Sequence, residues 1–154
     1  MIQRIQTIYL AFAALLSGLL LKGPIVRLAG PAGEDYRLMY GGIFISENNK
    51  VDIVERSLPL AILIISVTVL FIVTIFLFRK RKLQIRLTIF ATLLNIGTFI
   101  LILYYTFIAG NNIDADYIFS TKMVFPLAGS IAGYLAFRGI LKDELLVKSY
   151  DRLR

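Results

Sequence analysis

Neither cysteine nor histidine occurs anywhere in the 154 residues. The two absences together exclude a Cys-ligated iron–sulfur cluster, a His-ligated haem and an ordinary His/Cys zinc site. They exclude disulfides too, so cysteine usage carries no information on redox compartment. Charge is scarce as well. Charged residues make up 18% of the chain against 58% apolar, with a mean hydropathy of +0.77; an average soluble domain has about 25% charged residues and 45–50% apolar ones. A soluble fold this small cannot hide that much apolar surface, so the composition predicts a membrane protein.

The apolar residues fall into four runs. Residues 5–21, IQTIYLAFAALLSGLLL, are uncharged up to Lys22, and residues 57–78 and 87–109 are uncharged for 22 and 23 positions. A fourth run, 123–137, lies between Lys122 and Arg138. Crossing about 30 Å of hydrocarbon at 1.5 Å per residue takes roughly 20 residues. The second and third runs meet that length. The first and fourth need flanking cations to reach outward, or a few neighbouring apolar residues to extend the helix. The first run lacks a small-x-small cleavage site behind it and reads as a helix rather than a leader.

Between the second and third runs lies FRKRKLQIR, residues 78–86, with Arg79, Lys80, Arg81, Lys82 and Arg86. Four spans place both chain ends and this turn on one side. Those segments hold 11 Lys/Arg against three carboxylates, whereas 22–56 and 110–122 hold six against seven. The positive-inside bias therefore predicts cytoplasmic termini, with the basic turn facing anionic lipid headgroups. No aromatic platform or binding fold accompanies these cations, so nucleic acid is not an expected partner.

Three segments, MIQRIQTIYL, RKRKLQIRL and RGILKDELLVKSYDRLR, give the chain a resemblance to a family. It resembles a family of small four-helix membrane proteins found in Bacteroidetes and described only as a domain of unknown function. The resemblance spans essentially the whole chain and implies a bacterial inner-membrane location. It implies no activity and no functional residues.

The connection 22–56 is the longest polar stretch. KGPIVRLAGPAGEDY, rich in Gly and Pro, reads as irregular. In YRLMYGGIFIS the pair Gly41-Gly42 between β-prone runs signals a short hairpin, with Tyr36, Tyr40 and Phe44 offering surface to a partner. In the second connection, Asp114 and Asp116 are weak cation ligands in a turn that lacks the rest of an EF-hand pattern.

The runs themselves contain no ionisable Asp, Glu, Lys, Arg or His, which argues against an ion-coupled pump or proton relay. Ser17, Ser66 and Ser130 have no sequence-evident base, so no catalytic residue and no cofactor are expected. Asn95, mid-run, must point inward and hydrogen-bond between helices, because lipid cannot satisfy its amide. In the fourth run Gly129 and Gly133, with Ala132, form a small-residue strip; Ala14 and Gly18 make a weaker one in the first. The simplest expectation packs these two helices together. Tyr104, Tyr105 and Tyr134 read as interfacial anchors. In the tail, Leu146, Tyr150 and Leu153 make an apolar stripe for the inner leaflet or a partner.

The expectation is thus a single domain over 1–154, an all-α bundle of four transmembrane helices (5–21, 57–78, 87–109 and 123–137) with a short external hairpin. Its expected role is a non-enzymatic accessory or assembly subunit of an inner-membrane complex, in contact with other inner-membrane proteins. A small oligomeric permease or lipid-handling protein, with Asn95 and Tyr104 lining a path, is the alternative. An external cation sensor is the weaker third.

Overall fold

Four apolar helices form an up-and-down bundle closed at one end by a small antiparallel sheet. The computed structural model describes residues 5–31, 34–47, 50–113, 116–118 and 120–151, and their side chains except at 46–51, 112–117 and 147–151. Helix α1 runs over Ile5–Leu19, α2 over Leu58–Phe76, α3 over Arg81–Ile113 and α4 over Phe125–Asp151. Each packs on two neighbours in the ring α1–α2–α3–α4, an up-and-down order in which only the α2–α3 connection, residues 77–80, is short. Three of the helices are long and apolar enough to cross a membrane, and α1, at 15 residues, is shorter.

Among the described residues, eight of the Ser and Thr hydroxyl groups in these apolar helices find an acceptor one turn back. Ser17, Thr68, Thr74, Thr88, Thr92, Thr98, Thr106 and Ser130 all donate to the carbonyl four residues earlier, at 2.6–3.1 Å. This back-bonding removes the cost of placing a hydroxyl where no water can reach it. Pro59 occupies the first turn of α2, where its missing N–H costs nothing.

Residues 22–56 hold far more regular structure than a single hairpin. Strands β1 (Val26–Ala29), β2 (Asp35–Met39), β3 (Gly42–Glu47) and β4 (Lys50–Arg56) form a meander, and β5 (Asp116–Ile118) returns beside β1. The sheet order is β4-β3-β2-β1-β5, so both helix connections at this end join one sheet. The fold is therefore mostly helical with a sheet cap, not all-α. β1 lies inside the stretch read as irregular. The second connection is likewise not a plain turn: α3 continues to Ile113, β5 follows, and a 3₁₀ turn (Thr121–Val124) leads into α4.

One face of the sheet is apolar and covers the helix ends. Cross-strand neighbours Val26 and Leu38, Leu28 and Tyr36, and Leu38 and Ile43 are all buried. They share a core with Leu20, Leu60, Ile64, Ile102 and Met123 from the helices. This alternation, inward residues apolar and Arg27 outward, is the period-two pattern of a half-covered sheet. A second core, around Leu10, Ala13, Phe71, Ala91, Ala132 and Ile140, fills the half of the bundle away from the sheet.

The β2–β3 turn differs from the sequence expectation by one residue. Met39 pairs with Gly42, so Tyr40-Gly41 is the two-residue loop and Gly42 is the first residue of β3. Its φ of +150° is a conformation side-chain-bearing residues rarely adopt, and a Cβ built there would lie 2.1 Å from the Glu55 carbonyl oxygen. Gly42 is required because the β4 backbone paired alongside it leaves no room for a side chain.

Candidate functional site

The chain offers three surfaces on which a function can be built: a basic end, a polar seam inside the bundle, and the outer faces of α3 and α4. The basic end is made by the α2–α3 connection and the start of α3. The connection is only residues 77–80, so Arg81, Lys82 and Arg86 belong to the first two turns of the helix rather than to a loop. Two contacts hold this corner in place. Gln84 Nε2 donates to the Thr74 carbonyl at 3.1 Å, tying α3 to the last turn of α2, and Arg81 Nη1 reaches the Asp143 carbonyl of α4 at 3.4 Å. All five cations of the segment and Glu144 line one open cavity of about 510 Å³. Cations in the first turn of a helix oppose its dipole, so local helix stability does not explain them.

The seam centres on Asn95, which is fully buried. Its Nδ2 donates to the carbonyl of Pro126, in the first turn of α4, at 2.9 Å. Ser130 Oγ donates to the same carbonyl at 2.8 Å. The acceptor fixes the amide's orientation, because a flipped amide would set two oxygens against each other. Asn95 Oδ1 is buried without a hydrogen-bond partner.

The small-residue strip of α4 serves this seam. A Cβ at Gly129 would lie 2.8 Å from Asn95 Nδ2, and one at Gly133 would lie 2.4 Å from Thr92 Oγ1. Gly129 and Gly133 therefore face α3 and make room for its polar side chains, and a Cβ at Gly129 would also lie 3.8 Å from the Ala13 carbonyl oxygen of α1. Helix α1 does pack along α4, and Ala13, Ala132 and Ala136 share one core. In α1, Ala14 is buried and Gly18 approaches Thr68 of α2. A single sequence shows that a helix carries small residues but not which neighbour they meet, and here those of α4 serve both α1 and α3.

The remaining candidate residues scatter. Tyr36 is not free surface: it is buried in the sheet core, and its hydroxyl donates to Glu34 Oε2 at 2.7 Å. Tyr40, in the β-turn, is exposed, and Phe44 is half-buried. Asn95 is buried whereas Tyr104 is exposed, so the two do not line one path within a single copy of the chain. Asp114 lies outside the described residues, and Asp116 is a β5 residue paired with Ala29. Among the described residues no cluster of three carboxylates is placed to hold a metal ion. The Ser17 and Ser130 hydroxyls are bonded to their own helices. Helix α4 carries the tail to Asp151, with Leu146 exposed; the Tyr150 side chain and Leu153 fall outside the described residues.

The groove along α3 and α4 had no sequence signal, because it is made by two helix faces from separate runs. Ile89, Leu93 and Ile96 form one wall and Leu127, Ile131, Tyr134 and Phe137 the other, around a volume of about 600 Å³.

The bundle, its sheet cap and its apolar exterior define a class of small four-helix proteins with three helices of membrane-crossing length. The chain belongs to the family described as Domain of unknown function (DUF4293), which matches residues 2–153. A search of curated proteins found no match to the chain.

Proposed function

We propose that the chain spans a bacterial inner membrane with both termini in the cytoplasm, and acts there as a non-enzymatic accessory or assembly subunit. The observation that carries this reading is the inverted surface of the bundle. Large apolar side chains are exposed along every helix, among them Phe12 and Leu15 of α1, Ile62 and Phe76 of α2, Leu93 and Phe107 of α3, and Ile131 of α4. A soluble monomer rarely exposes an apolar patch above a few hundred Å²; lipid covers such a surface without cost. The cations cluster at the end remote from the sheet, which supports the cytoplasmic assignment of that end.

The accessory role rests on what the interior contains. The buried polar side chains among the described residues are Gln, Ser, Thr and Asn, with no ionisable group. Proton relays and ion-coupled carriers keep charge in the bundle, and this core has the groups of a packing element. A photo-crosslinker at Tyr40 and another at Leu146, in native membranes, test the role. Both positions are expected to capture one and the same larger membrane protein, whose level falls when this chain is deleted. Capture of this chain alone at both positions contradicts it and favours the second reading, a small oligomeric permease or lipid-handling protein. The buried, unpartnered Asn95 Oδ1 supports that reading.

A further inference from the structure

We infer that the valley between α3 and α4 is a binding site for one anionic phospholipid, its phosphate in the basic cavity and an acyl chain in the apolar groove. The inference rests on the membrane reading above and adds a specific ligand to it. The two cavities lie on one face. Along α3, Lys82, Arg86, Ile89, Leu93 and Ile96 recur at helical spacing, so the cations of the basic cavity stand in line with the apolar wall of the groove. On α4, Tyr134, Phe137 and Glu144 follow the same rule.

Chemistry and length both select the occupant. The basic cavity has five Lys/Arg and one carboxylate in its lining, which matches a headgroup phosphate and disfavours a zwitterion or a cation. The groove offers almost nothing polar: the Thr92 and Ser130 hydroxyls at its wall donate to their own helices at 2.7 and 2.8 Å. Its α4 wall runs from Leu127 to Phe137, about 15 Å at 1.5 Å per residue, half of the ~30 Å hydrocarbon thickness. A partner helix spanning the membrane would need the full thickness. An acyl chain occupies one leaflet, the one next to the basic end.

Lipid binding to the full chain, purified in mild detergent, is read by native mass spectrometry with phosphatidylglycerol, phosphatidylcholine of the same chains, and inorganic phosphate. The wild type is expected to prefer phosphatidylglycerol to phosphatidylcholine by about 30-fold, because the choline cation offsets the roughly 1 kcal/mol that each of two cations gains from a net-anionic headgroup. The Lys82→Gln/Arg86→Gln pair should abolish that preference. Ile131→Trp, at an exposed groove position, should weaken both lipids by about tenfold by filling the acyl path without disturbing the core. Arg138→Gln, at the same end but outside the valley, should change nothing.

Equal binding of the two lipids by the wild type overturns the site. So does inorganic phosphate competing as well as phosphatidylglycerol while Ile131→Trp has no effect, which leaves an anion site without an acyl groove. An Arg138→Gln effect as large as that of the paired variant reduces the preference to diffuse charge and also overturns it. The chain's integration into membranes is measured separately by carbonate extraction, so failure of the site and failure of the membrane reading give different results.

Discussion

Gly42→Ala is expected to open the sheet, whereas Gly41→Ala one residue earlier is expected to be silent. At Gly42 a methyl group meets a backbone carbonyl at 2.1 Å and the residue holds φ +150°; neither the strand it enters nor β4 across from it can retreat without breaking their pairing. Positive-φ strain and overpacking each cost about 1–3 kcal/mol, so the sum lies within about 2–6 kcal/mol, and a loss of about 3 kcal/mol is expected. At Gly41 nothing lies within 4 Å of the added carbon, and a change of less than about 0.5 kcal/mol follows. Hydrogen exchange of the β3 and β4 amides should accelerate about a hundredfold in Gly42→Ala, following from the same 3 kcal/mol, and be unchanged in Gly41→Ala. Equal effects at the two positions would mean that the turn is Gly41-Gly42 after all.

The second large effect concerns orientation. Replacing Arg79, Lys80, Arg81, Lys82 and Arg86 together by Gln leaves six Lys/Arg on each side of the bundle, where the natural sequence has 11 on one side and six on the other. The bias that orients a multi-span chain is the difference in Lys/Arg between its short loops, and here it falls to zero. Gln keeps high helix propensity, so α3 should still form. The variant is expected to insert in both orientations in comparable amounts, read as protease protection of an epitope tag after Arg154. A variant as uniformly oriented as the wild type would show that the basic segment does not orient the chain, and would leave the lipid site as its remaining use.

How much of this was readable beforehand follows from where the information lies. The helices announce themselves through long uncharged runs, a signal carried within each segment, and α2 and α3 lie where those runs are. Their ends were less legible: Arg81, Lys82 and Arg86 look like a loop by charge, yet Gln84 and its bond to Thr74 carry α3 back beyond them. The sheet was mostly illegible for a physical reason. β1 is four residues with Arg27 among them and β5 is three, each stabilised by pairing with a strand distant in the chain. Only the β2–β3 hairpin, with its Gly41-Gly42 pair, left a mark; the β1–β2 and β3–β4 pairings are as local but carry no such turn signal. Asn95 was legible as an inward residue because lipid leaves it no other place. Its partner was not: the Pro126 carbonyl is backbone, and any α4 sequence would supply one. Tyr36 was misplaced on the surface because its neighbour Leu38 defines the covered face only once the register with β1 is known.

Because the chain has no cysteine of its own, each introduced cysteine is its only reactive thiol, and labelling by a membrane-impermeant maleimide maps its placement directly. In intact spheroplasts the Tyr40→Cys variant should label, Lys80→Cys should label only once the membrane is opened, and Leu93→Cys, exposed on the bare bundle, should resist in both conditions because lipid covers it. Labelling of Leu93→Cys as readily as Tyr40→Cys, or of Tyr40→Cys and Lys80→Cys from the same side, would contradict a bundle that threads the membrane with its basic end inside.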